Sequence, residues 1–525
     1  MESHRLPPSP DLDHLRRQAK ALMRACLAGD ADAMRRVRAV LPDAPARLRL
    51  ADAQLVIARE YGFASWSRLK LHIETSRGVG AAVAAFLEAV ADGRADTARE
   101  IAANEPRVVS SSVHVAAILG RDDELRRLLA EDPERVRKRA GPHAADPLLA
   151  LCFSPFHGDA PERDDGLLRA TFTLLQAGAD PNTSATFREG REEYGIPALY
   201  AVTGVHDAPR IARALLEAGA RPNDGESLFH AAQHFHRASL EVLLEYGADP
   251  NEAGTWGNTP LYFLLDHYDE GADDVRRGID WLLEHGADPD VVCGTGRETA
   301  LHVAIRRGRS PEIVRLLLDR GADVHARRGD GRTPWRLARR GGNDELVAVL
   351  ENAGAVAEPL PPADALFAAC GRGDAGAARA LATPALIASL AEEDLKLLPH
   401  AAAEGRPDVV RACLAAGFAV NQEGDYGGTA LHHACIRGST AIVREVLRYA
   451  PDLALRDATH DSSPLGWATF GADVVREPGG DYVGCVEALI GAGAALLPAD
   501  HRPDEPAIAA LLTRFMHDSP RASSD

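Results

Sequence analysis

One nine-residue ending recurs along the chain: LLQAGADPN at 174–182, LLEAGARPN at 215–223, LLEYGADPN at 243–251, LLEHGADPD at 282–290 and LLDRGADVH at 317–325. Self-similarity of this kind limits the possible folds more sharply than any composition does. Between the endings lie boxes such as SLFHAAQH, TPLYFLLD, TALHVAIRRG, TPWRLARRGG and TALHHACIRG. The apolar residue that opens each box stands at Leu199, Phe229, Leu261, Leu301, Trp335, Leu366, Leu398, Leu431 and Leu465, a spacing near 33 residues. Each unit contains two short apolar helices, and neither buries its face alone. Stacked neighbours bury a continuous core, so the array is expected to be a solenoid.

Composition fixes the class. Hydrophobic residues make up 46% but aromatics only 5%, and alanine is abundant, which favours close-packed helices. The fold class expected is all-α. In each GADPN ending the glycine should stop the outer helix in a left-handed conformation, and Asp, Pro and Asn should turn the chain into a hairpin-like finger.

The period and the L-H-x-A-like box resemble the ankyrin repeat, a turn plus two helices with a T-P-L-H-x-A signature. The resemblance covers at least residues 110–495 and implies an ankyrin-type α-solenoid. The box can be followed backwards to Val113, Phe86, Leu55 and Leu22; with Leu148 this makes 14 candidate units. Residues 1–76 are expected to form an N-terminal helical capping module, 77–495 the repeat array, 496–516 a closing helix and 517–525 a disordered tail. Residues 11–74 look similar to a helical module that precedes the repeats in many bacterial ankyrin proteins, which implies a bacterial source. The period breaks at 153–166, 266–278 and 471–482, read as longer connections between helices, and at 183–195, read as one longer finger.

Seven cysteines lie scattered without a CxxC pair, the pattern of a reducing compartment. No stretch is long and apolar enough for a bilayer, and the first residues have no apolar signal core. A cytoplasmic protein is expected. Net charge is −18, although residues 1–76 carry an excess of four positive charges. That balance argues against nucleic acid as a partner. Arg16, Lys20 and Arg24 form a basic helical stripe, read as a solvated face.

His432 and Cys435 in TALHHACIRG fall in signature slots, where the resemblance implies that histidine bridges the backbone of neighbouring turns. His114, His230 and His302 share the slot. His230 and His234 stand at i and i+4 with His236 and His267 near, a spacing that suits zinc; because the signature already claims His230, no metal is assigned. Nucleophile-elbow, phosphate-loop and zinc-protease motifs are absent from the sequence, so neither cofactor nor catalytic residue is assigned.

Binding residues are therefore sought at the variable positions. The finger-tip position holds Tyr194, Trp256 and Tyr426, rings suited to anchoring an interface. The two positions before the inner-helix glycine hold His234 and Phe235, Asp266 and His267, Arg306 and Arg307, Arg340, Arg372, and Ile436 and Arg437. The arginines form a strip that would favour an acidic partner through forked hydrogen bonds. The position after the signature histidine holds Phe263, Val303, Leu337, His433 and Trp467, of which His433 and Trp467 are counted with the site. The function expected is a monomeric, non-catalytic scaffold that recognises another protein through its concave face, without a membrane or nucleic-acid partner. The rival readings are a ligand or catalytic site in the divergent segments, and an immunity-type inhibitor of one partner.

Overall fold

The computed structural model describes residues 11–42, 48–76, 78–189, 192–268, 273–424, 427–497 and 500–518. It divides into two compact units, 1–287 and 288–525. Both are built from pairs of short antiparallel helices.

The first unit opens with four helices, Leu12–Leu27, Ala31–Val40, Leu50–Glu60 and Trp66–Ser76. Apolar residues at helical spacing put Leu15, Ala19 and Leu22 on one face of the first helix, where they pack with Val56, Ile57, Leu69 and Ile73. Each such leucine or isoleucine contributes about 1.5–3 kcal/mol by leaving water. Arg16, Lys20 and Arg24 lie on the opposite, exposed side.

From Val79 the chain alternates inner and outer helices. Inner helices are Val79–Ala91, Val113–Ile118, Pro147–Cys152, Ala198–Tyr200, Ser227–Gln233 and Pro260–His267. The corresponding outer helices include Asp122–Glu131, Pro161–Gln176, Pro209–Glu217, Arg237–Glu245 and Asp273–Glu284. The GADPN glycines do what the sequence requires of them: Gly178, Gly219, Gly247 and Gly286 all have φ between 89° and 99°, values that a side chain would resist. Gly278 answers a different need. A Cβ there would lie 2.0 Å from the Ala232 carbonyl oxygen, so its absence lets helix Asp273–Glu284 pack directly on helix Ser227–Gln233.

Two of the irregular stretches are helical where longer connections were expected. Pro161, at the first helical position, starts the outer helix within 153–166, because its missing N–H would be unpaired there anyway. Residues from Asp273 likewise belong to a helix, with two aspartates in its first turn where the backbone N–H groups point outward. The long finger forms a true two-stranded antiparallel sheet, Ser184–Glu189 with Glu192–Pro197. Other fingers are closed by single bridges, such as Ala140 with Ala145 and Cys293 with Glu298.

The second unit repeats the plan, with inner helices Ala300–Arg306, Pro334–Arg340, Pro362–Gly371, Leu397–Ala403, Ala430–Ile436 and Pro464–Phe470. Its core joins Leu366, Leu398, Leu431 and Leu465, four of the residues that set the period. In 471–482 the inner helix continues as a π-helical turn, Gly471–Val475, ended by Arg476 in the left-handed region. Helix Pro506–Asp518 packs through Ile508 and Leu512. The expected disordered tail falls almost wholly outside the described residues.

Candidate interaction surface

The signature histidines are structural. His432 Nδ1 accepts from the Thr429 hydroxyl (2.9 Å), and its Nε2–H reaches the Ser462 carbonyl in the next finger (3.3 Å). His302 repeats this with Thr299 (2.8 Å) and the Arg332 carbonyl (3.2 Å). Burial pulls the His432 imidazole down to about 4, so it is neutral when it bridges the two turns. Cys435 is fully buried beside it. His230 departs from the pattern: it contacts Gln233 (2.7 Å) and Glu226 (3.3 Å), because the nearby Ser227 hydroxyl is already donated to Asp224. His236 gives its Nδ1–H to the Thr203 carbonyl (2.7 Å), so the rings of the zinc-like cluster face different partners.

The arginine strip does not present free charge. Arg306 is held by Glu298 (2.9 Å), itself buried and also bound by Arg328 (2.7 Å). Arg340 bonds the fully buried Asp364 (2.5 Å) and Asp394, and lies 3.7 Å over the Phe367 ring. Arg332 and Arg336 converge on the same Asp364. Burial works against the Asp364 charge, but the three guanidiniums outweigh it and hold the carboxyl below its ordinary range. Arg437 pairs with Glu477 (3.0 Å). Arg307 and Arg372 are exposed. The strip is largely neutralised because a buried carboxylate, once paired, takes up the fork that would otherwise reach a partner.

The other expected site residues divide similarly. Trp467 is only 8% exposed and is no groove residue: its indole N–H donates to Asp457 (2.9 Å) and its ring packs between His432 and His433. Trp256 does stand on a finger tip, 54% exposed. Tyr194 lies on the second strand of the hairpin opposite Phe187. Tyr426 lies outside the described residues. His234 and His267 are exposed, Asp266 is half-buried, and Phe235 is covered by the Arg277 guanidinium at 4.1 Å.

What the first unit does assemble is an aromatic run along its inner helices. Phe153 meets Tyr200 (6.3 Å between ring centres), Tyr200 meets His230 (4.9 Å), and His230 meets Phe263 (5.4 Å). Phe263 in turn contacts His267 (5.0 Å) and Tyr268 (5.3 Å). All but the exposed His267 are half-buried, so each ring is braced by its neighbours yet reachable by solvent.

At Phe153 the run joins an apolar groove of about 180 Å³. Three successive inner helices supply it as i, i+4 pairs: Leu87 with Ala91, His114 with Ile118, and Leu149 with Phe153. The finger Ala140–Ala145 forms its edge. Leu87 and Leu149 occupy the slot that takes histidine elsewhere, so two of the three helices bring an apolar side chain where His114 brings an imidazole. Those leucines were the signal for the groove. Ile118 and Phe153 hold, in earlier repeats, the register position of His234, and were not among the expected site residues.

Comparison with known proteins supports the repeat assignment. The family model described as ankyrin repeats (many copies) matches residues 282–338, and that described as ankyrin repeats (3 copies) matches residues 398–495. The chain carries ankyrin repeats. The human SH3 and multiple ankyrin repeat domains protein 2 is 27% identical over 212 residues, 34% of this chain and 11% of that protein. Ankyrin repeat and SOCS box protein 11 of Danio rerio is 35% identical over 127 residues, 24% of this chain and 39% of that protein. The chain thus spans well under half the length of these relatives. The crystal structure of the human ASB11 ankyrin repeat domain is similar at 23% identity and a TM-score of 0.34, over 47% of this chain and all of that one. These vertebrate relatives lend no support to the bacterial source that the N-terminal ankyrin-type module implied.

Proposed function

We propose that this ankyrin-repeat chain is a protein-interaction scaffold that binds through the inner-helix and finger face of its first unit. The aromatic run Phe153, Tyr200, His230 and Phe263 carries the reading. In a chain with 5% aromatics, rings gathered on one solvent-reachable face match what protein interfaces use as anchors: large apolar area, little rotamer entropy to lose, and a polar atom on the tyrosine. The helices beneath are packed before any partner arrives, which lowers the ordering cost of binding. Trp256, exposed on a finger of the same unit, extends the surface. The sequence relatives, named for their ankyrin repeats, are consistent with a binding role in place of catalysis. Seven free cysteines, six of them buried, suit a reducing compartment, and among the described residues no helix is long and apolar enough to cross a membrane.

Site-specific photo-crosslinking tests the reading. A crosslinker placed at Tyr200 should capture a discrete protein in cells, and one placed at Arg169 on an outer helix should not. Capture at Arg169 alone, or none at Tyr200, would reject it.

A further inference from the structure

The arginines examined above are mostly tied to carboxylates. Beside the apolar groove the pattern reverses. Arg137, Lys138 and Arg139 are consecutive and exposed, and among the described residues none has an ion-pair partner within 4 Å. Their neighbour Arg135 is different, since it pairs with Glu131 and Asp132. The three cations run directly into Ala140, where the finger closes on Ala145 and forms the groove edge. The groove-lining His114 bonds the Ala145 carbonyl (3.1 Å), which ties the inner helix to the finger that follows the three cations. Among the described residues Asp146 makes no ion pair with these cations; its oxygens accept from the Leu149 N–H (2.9 Å) and the Thr183 hydroxyl.

From this juxtaposition we infer that the groove receives one large apolar side chain from an acidic segment of a partner protein, while carboxylates flanking that side chain meet Arg137, Lys138 and Arg139. The inference rests on the interaction reading and gives the partner its chemistry. The groove volume of about 180 Å³ fits a single anchor, since an apolar cavity of about 150 Å³ is enough to hold benzene. Its walls are mostly leucine, isoleucine, valine, alanine and phenylalanine, with His114 and His143 the polar members, so an apolar group gains there and an unpaired charge loses. The unpaired cations sit in a chain of net charge −18, so an acidic partner is repelled from most of the surface and steered to this finger. A phosphate backbone would engage the cations and leave the apolar cleft unfilled.

The test selects random 12-residue peptides from a display library on the full chain. The enriched peptides should carry net negative charge around a Leu, Phe or Met. The best of them should bind at least tenfold more weakly to a chain with Arg137→Glu, Lys138→Glu and Arg139→Glu, and more weakly at high salt. These positions are exposed, so the variant should fold; a second variant, Ala150→Leu, narrows the groove without changing charge and should also weaken binding. Neutral or basic enriched peptides, no enriched peptides, or affinity unchanged by the charge reversal would overturn the inference. Capture at Tyr200 combined with any of those results would leave the interaction reading standing and reject only this partner chemistry.

Discussion

Arg340 lies 3.7 Å above the Phe367 ring while its two guanidinium nitrogens reach different carboxylates, Asp364 and Asp394. One side chain thereby joins the inner helices Pro334–Arg340 and Pro362–Gly371 to the short helix Glu392–Leu395. Asp364 has no exposed surface, and removing it would leave three guanidiniums converging on an empty site. Asp364→Ala should destabilise the second unit by about 3 kcal/mol. Urea denaturation measures this, with Arg372→Ala as an exposed control expected to change stability by less than about 0.5 kcal/mol.

Gly278 sets a steric limit. Alanine would gain about 1 kcal/mol of helix propensity, but its Cβ would meet the Ala232 carbonyl oxygen at 2.0 Å, and that oxygen belongs to backbone. The clash should win. Gly278→Ala is expected to destabilise by about 1–3 kcal/mol, read as a lowered thermal midpoint.

Much of this was legible in the sequence because it is local and periodic. The GADPN glycines and the buried slot of Cys435 follow from residue type and register, and the bridging roles of His302 and His432 are what the ankyrin resemblance implied. The ion-pair partners do not. Asp364 and Asp394 come from units that lack the GADPN ending, and their burial is set by packing between units that periodicity leaves open. Trp467 illustrates the same limit: register put it on the binding face, but Asp457 in its own finger captures the indole N–H. The groove was readable in principle, through Leu87 and Leu149 standing where histidine is usual.

Acid should weaken the fold. Burial pulls His206 down to about 3 and His432 to about 4 from an ordinary 6.5, so below pH 6.5 the unfolded chain binds protons that the folded chain refuses. Asp457 acts in the same direction: burial opposes its charge, but backbone N–H groups and the Trp467 indole hold it at about 2, so its contribution is lost as pH falls from 3.8 towards 2. Stability should therefore be insensitive to these groups above pH 6.5 and decline progressively below it. Denaturation midpoints measured from pH 8 to pH 4 check the sign, and a rising midpoint on acidification would refute it.

Trp467→Phe separates packing from binding. Phenylalanine keeps an aromatic ring, smaller than the indole, while Asp457 loses one of the donors that stabilise its charge. A stability loss of about 1–3 kcal/mol is expected with no effect on partner affinity.

The central claim is that the inner-helix aromatic run of the first unit binds a partner. Phe172, 41% exposed on the outer helix of the same unit, provides a matched control. The decisive measurement is calorimetric affinity for the protein captured at Tyr200, comparing Tyr200→Ser with Phe263→Ser together against Phe172→Ser. The inner-face double variant should bind at least tenfold more weakly and the control within twofold of wild type. Equal affinities for all three, or a loss confined to Phe172→Ser, would contradict the account.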